Sequence, residues 1–427
     1  MNLQPETFDL RLEKLTYGGE AMGRLPDSRA VFVPFGLPGE RVRVRLVEDK
    51  KNFARGEIVE ILEPSPERIT ANCKHFFSPL LQGEEAGGRW CGGCHYQHLP
   101  YEKQLQAKTD ILIDQLQRIG KIENPPVQPM VPSPRPWNYR NHVQFHLTEE
   151  GKLGYVSPLP AEEGVGVMAV SECHLPEPPI NELWTQLEFE AETGVERVSL
   201  RLGADDDLML LLESDSPEPP SLEIEAEVSA VHVYEQNTVV LAGSDHLFMR
   251  VLDRTFKVSA ASFFQVNTVM AEKMVEHLNA NLPITNRSAV LDVYCGVGLF
   301  SAFLAPNCRR IIGVESSRSA CEDFAFNLDE FDNVELYEGE AEAVIPHLEA
   351  KPDFVVVDPP RAGLDKAVVD GILHLSPRLV AYVSCDPSTL ARDAARLIKG
   401  GYRLKNVTPF DMFPQTYHIE SVSLFER

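Results

Sequence analysis

The sequence predicts an α/β protein with a doubly wound, Rossmann-like parallel sheet in its C-terminal part, preceded by a small β-barrel and a strand-rich central region. Three observations lead to this fold class. Short apolar strands with glycine turns fill residues 8–62, and irregular strand-like segments follow over 139–243. From about Ser262 onward, apolar strands alternate with helix-length segments, a pattern typical of βαβ units.

The N-terminal segment has the spacing of strands and turns that is typical of a small barrel. Arginine and valine alternate over 41–45, so the valines should point inward and the arginines outward. This outward row belongs to a local basic strip that either follows a nucleic-acid backbone or is a solvated strand face. The strip consists of Arg41, Arg43, Arg45, Lys50, Lys51 and Arg55.

Length and charge limit the classes of protein that come into question. A chain of 427 residues suggests two or three domains. The net charge of -24 argues against simple electrostatic adhesion to nucleic acid. The N-terminus lacks the layout of a secretory signal, and no apolar run reaches the roughly 18 residues that span a bilayer. We therefore expect a cytoplasmic protein without membrane association, whose clustered cysteines serve a metal or catalysis.

An apolar strand that carries Asp292 leads into a turn with Gly296 and Gly298, followed by a helix. A second apolar strand ends in Glu315, a carboxylate placed to accept hydrogen bonds from a ribose. A dinucleotide fingerprint would require a third glycine where this chain has Ser301. The pattern fits the D-x-x-x-G-x-G turn of S-adenosylmethionine enzymes. A glycine turn that serves packing alone is the alternative.

Two further strands end in residues that can carry chemistry. Asp358 follows an apolar strand and precedes two prolines, which cannot continue the strand ladder. Cys385 ends the next strand. Parallel strands should bring these two residues together with Asp292 and Glu315 on one rim, which favours catalysis by Cys385 over the alternative of a small buried thiol.

A thiolate on such a rim suits methylation of a pyrimidine. Carbon 5 of uracil is a poor nucleophile, but thiolate addition at carbon 6 makes it an enolate carbon that can attack a sulfonium methyl group. A base must then remove the hydrogen on carbon 5. Near the C-terminus, Glu420 is the favoured candidate for this base and His418 the less favoured one, although Glu420 could also be a surface carboxylate.

Taken together, these motifs resemble those of the RNA uridine-5 methyltransferases, especially the bacterial enzymes that modify 23S ribosomal RNA, and the resemblance covers nearly the whole chain. It implies a class I S-adenosylmethionine methyltransferase domain with Cys385 as nucleophile and Glu420 as base. It also implies that the methyl donor and the target base are bound by Gln265, Tyr294, Glu315 and Asp358. The motifs are 262–267, 292–298, 358–361, 384–387 and 418–420.

The resemblance also implies a domain organisation. Residues 1–66 correspond to an RNA-binding TRAM domain, 67–98 and 125–255 to a β-rich iron–sulfur domain, and 99–124 and 256–427 to the methyltransferase domain. The sequence departs from common family members at Leu299, Glu340 and Asp386. None of these departures removes a group that the mechanism needs.

Four cysteines form a candidate metal site. Their thiolates could hold a [4Fe–4S] cluster or a tetrahedral zinc ion, or they could be unrelated buried thiols. The resemblance favours [4Fe–4S], although an unusually long insert separates the first cysteine from the second. The four residues are Cys73, Cys91, Cys94 and Cys173.

We therefore expect an enzyme that acts on RNA, with 23S ribosomal RNA preferred over transfer RNA, and that works as a monomer. Two other functions stay open. One is direct methyl transfer to an exocyclic amine of a nucleic acid, and the other is RNA binding without catalysis by a degenerate methylase fold.

Overall fold

The computed structural model describes residues 7–76, 90–157, 166–191, 193–223, 227–235 and 237–427. These residues form two compact units, which are described separately. The first unit comprises residues 1–111, 146–174 and 413–418, and the second comprises 112–145, 175–412 and 419–427. Part of the insert between Cys73 and Cys91 lies outside the described residues.

The first unit begins with a closed five-stranded barrel in the order β1-β2-β3-β5-β4, which confirms the predicted N-terminal barrel. Val42 and Val44 are fully buried in its interior, as the alternation of arginine and valine predicts. The strands are β1 (Thr7–Leu15), β2 (Glu20–Arg24), β3 (Ala30–Pro34), β4 (Arg41–Asp49) and β5 (Phe53–Glu63).

The first unit continues through the cysteine-bearing turn into helix α1 (Tyr101–Arg118), of which the residues up to 111 belong to this unit. One face of α1 is buried, including Gln104 and Lys108. The end of β6 (His142–Leu147) forms a hairpin with β7 (Leu153–Val156), and β7 pairs with β8 (Val167–Ala169).

The second unit contains two β-rich parts and a parallel sheet. One β-rich part has the strand order β12-β11-β10-β9, and the other is the antiparallel pair β13-β14. Apolar side chains from both parts pack into one cluster, among them Met209, Val231 and Leu247. The elements are α2 (Pro178–Trp184), β9 (Val195–Leu202), β10 (Leu208–Ser214), β11 (Ser229–Tyr234), β12 (Asn237–Ala242), β13 (His246–Val251) and β14 (Arg254–Ser259).

The remaining seven strands form one sheet in the order β17-β16-β15-β18-β19-β21-β20. Strands β15 to β19 run parallel, and β21 is antiparallel to both of its neighbours. The strands are β15 (Ala289–Val293), β16 (Arg310–Glu315), β17 (Val334–Glu338), β18 (Phe354–Val357), β19 (Leu379–Ser384), β20 (Arg403–Phe410) and β21 (Glu420–Glu426).

Helices connect these strands and start at clear signals in the sequence. Asn267, Ser317, Asp365 and Asp386 cap α3, α5, α7 and α8 by accepting main-chain N–H groups, as expected for these residue types. The helices are α3 (Thr268–Asn281), α4 (Leu299–Leu304), α5 (Arg318–Asn327), α6 (Ala341–Val344), α7 (Lys366–Leu375) and α8 (Pro387–Lys399).

The strand order reverses between β15 and β18, because the chain first builds β15-β16-β17 outward and then returns to the other side of β15. In open α/β sheets, ligands bind beyond the carboxyl ends of the strands at such a switch point. Across the described residues, no helix has the length and apolar character needed to cross a membrane.

Candidate active site

The carboxyl ends of four parallel strands carry the residues that the sequence singled out. The β15–β18 register pairs Val293 with Val357, which puts Tyr294 and Asp358 level on the two sides of the switch point. Glu315 is the last residue of β16, and Cys385 follows the last residue of β19. Residues far apart in the chain therefore share one edge of the sheet.

Asp292 is completely buried beneath this edge. One carboxylate oxygen accepts a hydrogen bond from the Ser301 hydroxyl at 2.6 Å, and the other has no partner among the described residues. Burial and, to a lesser extent, the charge of Glu315 raise the pKa of Asp292 to about 7, although the hydrogen bond from Ser301 lowers it. A buried carboxylate oxygen without a partner is costly, and a bound ligand that donates a hydrogen bond would remove that cost.

The two glycines of the turn are required for different reasons. Gly296 has a φ of 55° and open space where a side chain would begin, so its backbone is accessible to a ligand. Gly298 has a φ of 92°, and a side chain there would collide with Leu328 and Phe324. The first glycine therefore leaves room beside the turn, whereas the second allows close packing against α5.

Glu315 is held in place by main-chain donors. One of its oxygens accepts from the N–H of Gly296 at 2.9 Å, and the other accepts from Ser316 and Ser317 at 2.9 and 2.8 Å. Each carboxylate oxygen has two lone pairs, so acceptor capacity remains for a ligand hydroxyl. Tyr294, the residue directly after β15, has a φ of 63°. Such a value is uncommon for a residue with a side chain and typical of functional sites.

Cys385 and Glu420 lie at the adjoining ends of the neighbouring strands β19 and β21. The antiparallel register of β19 and β21 pairs Ser384 with Ser421, so the next position places Cys385 opposite Glu420. Directly opposed residues of antiparallel strands have Cβ atoms about 5 Å apart. The strand pairing thus brings the two positions next to each other, and the charge of Glu420 acts on the Cys385 thiol.

Like charges are concentrated at this position. Burial, and then the charges of Glu420 and Asp358, raise the pKa of Cys385 to about 12. Burial also raises the pKa of Glu420 well above its usual range, and the pKa of Asp358 to about 7. A group of acids whose charges raise one another's pKa values is typical of an active site.

Arg361 is a further residue of this site that the sequence analysis did not single out. Its positive charge opposes the rise in the pKa of both Cys385 and Glu420. Helix α8 holds the loop that carries it, because Thr389 donates to the carbonyl of Arg361 at 3.2 Å and Arg392 to that of Ala362 at 2.9 Å. Its position directly after the two prolines was the signal in the sequence.

Asp386, which departs from the family pattern, has a structural task. Its carboxylate caps α8 by accepting from the N–H groups of Ser388 and Thr389 at 2.8 and 3.0 Å. The helix therefore begins two residues after Cys385, and the positive end of its dipole favours a thiolate there.

The segment that carries Gln265 precedes α3. The main-chain carbonyl of Gln265 accepts a hydrogen bond from Asn141 at 3.0 Å, and Asn267 donates to the carbonyl of Met412 at 3.1 Å. Phe263 is 71% exposed, whereas Phe264 beside it is buried. The segment is thus anchored directly after a side chain that faces solvent.

A groove of about 1290 Å³ lies elsewhere on the second unit. It is lined by Asp353, His374, Arg378 and Arg427, among others. Asp353 and Arg378 directly precede β18 and β19, so the groove lies at the amino ends of these strands, away from the candidate site. The candidate site is therefore identified by its chemistry and not by the volume of a cavity.

The four cysteines of the predicted metal site all belong to the first unit, and none of them forms a disulfide. Burial raises the pKa of Cys91 to about 12, and the charges of Cys173 and Cys73 add to this rise. However, among the described residues no group of three or more His, Cys, Asp or Glu side chains is arranged to hold a metal ion. The structure therefore does not support the predicted iron–sulfur site.

The arginines of the barrel are engaged by neighbouring carboxylates. Arg43 forms ion pairs with Asp9 at 2.9 Å and with Glu60 at 2.8 Å. Arg45 pairs with Glu57 in the same way. The basic strip that the sequence suggested is thus balanced by acids from β1 and β5.

This sheet, with its antiparallel β21 and its glycine turn after β15, defines a Rossmann-like methyltransferase. A family model described as tRNA (Uracil-5-)-methyltransferase matches residues 244–427, and a TRAM domain model matches residues 4–59. The chain belongs to the family of RNA uracil-5-methyltransferases, as its relatives show.

Among these relatives are proteins named as uncharacterized RNA methyltransferases. The one from Thermosynechococcus vestitus is 33% identical over 99% of this chain and 98% of its own length. The one from Aquifex aeolicus is 34% identical over 99% of both chains. The solved structure of Pyrococcus abyssi tRNA (uracil-54, C5)-methyltransferase in complex with S-adenosyl-L-homocysteine has the same fold. It has a TM-score of 0.73 and 24% identity over 98% of this chain and 100% of that chain.

Proposed function

We propose that this RNA methyltransferase transfers a methyl group from S-adenosylmethionine to carbon 5 of a uridine through a transient bond between Cys385 and carbon 6. The placement of Cys385 opposite Glu420 at the ends of β19 and β21 carries this proposal. The reaction needs a nucleophile and a base on one pyrimidine ring, and this strand pair offers a candidate for each.

The residues around the glycine turn fit a bound methyl donor. Asp292 offers a buried carboxylate oxygen without a partner, and Gly296 borders open space. Glu315 and Asp358 flank the turn at the carboxyl ends of the neighbouring strands. We assign donor binding to these residues together with Tyr294 and Gln265. The donor supplies an electrophilic methyl group on a sulfonium.

The chain's own residues would act in a fixed order. The Cys385 thiolate adds to carbon 6, the double bond between carbons 5 and 6 opens, and the electron pair moves onto the ring as an enolate. Carbon 5 then takes the methyl group. Glu420 removes the hydrogen on carbon 5 as a proton, the double bond forms again, and the bond from carbon 6 to sulfur breaks.

The electrostatics of the site suit this order. Without substrate, the thiol holds its proton because burial and nearby acids raise the pKa of Cys385 to about 12. Arg361 and the start of α8 oppose this rise and favour the thiolate. The raised pKa of Glu420 makes its carboxylate a stronger base than an exposed glutamate.

The substrate base must leave its stack to reach this edge, and the exposed Phe263 offers a ring on which a neighbouring base can stack. We propose 23S ribosomal RNA as the substrate because of the family resemblance of the motifs. Transfer RNA is the second candidate, since the Pyrococcus abyssi enzyme of the same fold acts on tRNA by its name. Mapping 5-methyluridine by mass spectrometry in both RNAs of a deletion strain distinguishes the two.

RNA that contains 5-fluorouridine tests the chemistry directly. Fluorine cannot leave as a cation, so elimination stalls and an SDS-stable adduct of protein, RNA and labelled methyl group should accumulate. The adduct should be absent in Cys385→Ala. Methylation that survives in Cys385→Ala would instead indicate direct transfer to an exocyclic amine, and a lack of any methyl transfer to RNA would indicate a binding protein.

The [4Fe–4S] cluster on Cys73, Cys91, Cys94 and Cys173 stays a prediction from the family resemblance, with zinc as the alternative. The reaction moves no net electrons, so a cluster would serve structure or the placement of RNA. Anaerobic purification followed by iron, sulfide and zinc assays tests it, and a fully active protein without metal would exclude it.

A further inference from the structure

A six-residue segment, 413–418, immediately precedes the start of β21 and is called the base loop here. It clusters with the first unit, although the residues on both of its sides belong to the second unit. The loop ends two residues before Glu420, the proposed base. Its conformation therefore decides how the chain enters β21 with that carboxyl group.

Gln415 is the centre of the base loop. It is 2% exposed and has a φ of 68°, a conformation that residues other than glycine rarely adopt. Its carbonyl accepts from the N–H groups of His95 and Tyr96 at 2.8 and 3.0 Å. A residue stays in such a conformation only when its surroundings hold it there.

Helix α1 supplies two buried side chains, Gln104 and Lys108, that hold the base loop. The amide of Gln104 donates to the side-chain oxygen of Gln415 at 2.9 Å and accepts from its main-chain N–H at 3.1 Å. Lys108 donates to the carbonyl of Phe413 at 2.9 Å. The two side chains are four positions apart, so they share one face of the helix.

These contacts are unusual for their residue types. Gln104 is 1% exposed and Lys108 is fully buried, although lysine is almost never buried without partners. The Gln104 amide also donates to the carbonyls of Tyr96 and Leu99, which ties it to the segment that follows Cys94. The helix, this segment and the base loop are thus joined through one amide group.

Aromatic rings fix the other end of the base loop. Tyr417 packs edge-on against Tyr17 of the barrel and His95, with ring centroids 5.6 and 4.6 Å apart. The ring of His418 packs on Tyr417 and Phe413. His418 is engaged within the loop, and this favours Glu420 over His418 as the base.

We propose that Gln104 and Lys108 are positioning residues for the proposed base, because they hold the base loop so that β21 begins with Glu420 opposite Cys385. This inference rests on the proposed function, since it assumes that Glu420 removes the proton from carbon 5. A displacement of about 1 Å at a reacting group can lower a rate on the order of a hundredfold.

The order of the reaction makes the proposal testable. The base acts only after the methyl group has been transferred, so a loosened base loop should slow elimination and leave the earlier steps intact. On ordinary uridine RNA, Gln104→Leu and Lys108→Met should accumulate a covalent protein–RNA adduct that carries labelled methyl. Turnover should fall by about 10- to 100-fold, and Glu420→Gln should show the same adduct.

Gln106→Leu is the matched control, because Gln106 is exposed on the same helix and its amide donates a hydrogen bond to the nearby Asp110 of that helix. It should behave as the wild type. Adduct formation with 5-fluorouridine RNA shows that each variant is folded and reaches methyl transfer, and Gln104→Leu should form this adduct at the wild-type rate.

Wild-type turnover without adduct in Gln104→Leu and Lys108→Met would overturn the proposal. It would also be overturned if these variants lost the 5-fluorouridine adduct, because the effect would then not be confined to the base step. Failure of the proposed function is distinguishable, since the wild-type protein itself would then form no 5-fluorouridine adduct.

Discussion

The barrel and the edge of the parallel sheet both contain several charged residues, but the two regions shift the pKa values of their acids in opposite directions. On the barrel, Asp9 and Arg43 are exposed and paired, and their hydrogen bond lowers the pKa of Asp9 and raises the pKa of Arg43. At the sheet edge, Asp292 is fully buried and Asp358 is half-buried, and desolvation raises the pKa of both to about 7.

This difference separates charge that supports structure from charge that supports function. Exposed ion pairs contribute little and are tolerated anywhere on a surface. Buried acids that raise one another's pKa cost folding free energy, so they persist where chemistry requires them. In the sequence the barrel arginines form a basic strip, whereas the acids of the sheet edge stand singly in or after apolar strands.

The largest expected effect comes from Glu420. Glu420→Gln removes the proposed base but keeps the size of the side chain, so turnover should fall by about 10²- to 10⁴-fold while the methylated adduct accumulates on uridine RNA. Gel analysis with labelled methyl donor measures both. His418→Gln serves as the comparison, and a larger defect there than in Glu420→Gln would assign the base to His418.

Asp292→Asn should change stability in a pH-dependent way. The folded protein keeps the Asp292 proton up to about pH 7, whereas the unfolded chain releases it near the ordinary pKa of 3.8. Wild-type stability therefore falls as pH rises through this window, by at most about 4 kcal/mol. Chemical unfolding at pH 5 and pH 8 measures this effect. The free energy of unfolding of Asp292→Asn, relative to that of the wild type, should be higher at pH 8 than at pH 5.

Asp9→Asn on the barrel should show the opposite sign. Pairing with Arg43 lowers the pKa of Asp9, so this carboxylate stabilises the fold above pH 4 and loses that contribution as pH falls. The variant should be slightly less stable than the wild type at pH 8 and equal to it at low pH. Equal pH profiles for Asp9→Asn and Asp292→Asn would remove the distinction between the two regions.

Arg361→Gln should slow the first covalent step. Loss of this cation raises the pKa of Cys385, so the thiolate becomes scarcer at neutral pH. At saturating 5-fluorouridine RNA, the rate of adduct formation should fall by about tenfold, and this deficit should be the same at pH 7 and pH 9 because both lie well below the Cys385 pKa of about 12. A weaker Kd for RNA with an unchanged rate of adduct formation at saturating RNA would mean that Arg361 contacts RNA instead of tuning the thiol.

The smallest effect is expected on the barrel surface. Glu60→Gln frees one side of Arg43 for a phosphate, so RNA affinity at low salt should rise by about two- to threefold. The slope of log Kd against log salt should steepen by up to about one unit. Filter binding between 50 and 200 mM salt measures this, with Glu13→Gln as the control. An unchanged slope would mean that this face of the barrel does not meet RNA.

Much of the candidate site was predictable because it depends on the local order of the chain. The strands that lead to Glu315, Asp358 and Cys385 are largely apolar runs. Polar residues or prolines mark where each of them ends. Parallel strands bring such ends to one edge by geometry alone. The placement of Cys385 and Asp358 on that edge therefore follows from the pattern of residues.

Other features depended on long-range contacts that no local pattern shows. The cysteines Cys73, Cys91, Cys94 and Cys173 suggested a metal site, but the described residues do not arrange them as one. The basic strip suggested a phosphate track, yet its arginines meet acids from other strands. Gln104 carries no signal of its own, because its role arises from contacts with residues distant in the chain.

The sequence by itself determined the barrel and the parallel sheet and led to the prediction of the nucleophile, because these depend on hydrophobic periodicity and on residues at strand ends. Only the tertiary structure decided the pairing of Cys385 with Glu420, the burial that raises their pKa values and the anchoring of the base loop by α1. Burial and register join segments that lie far apart in the chain, and their energies exist only once those segments are packed together.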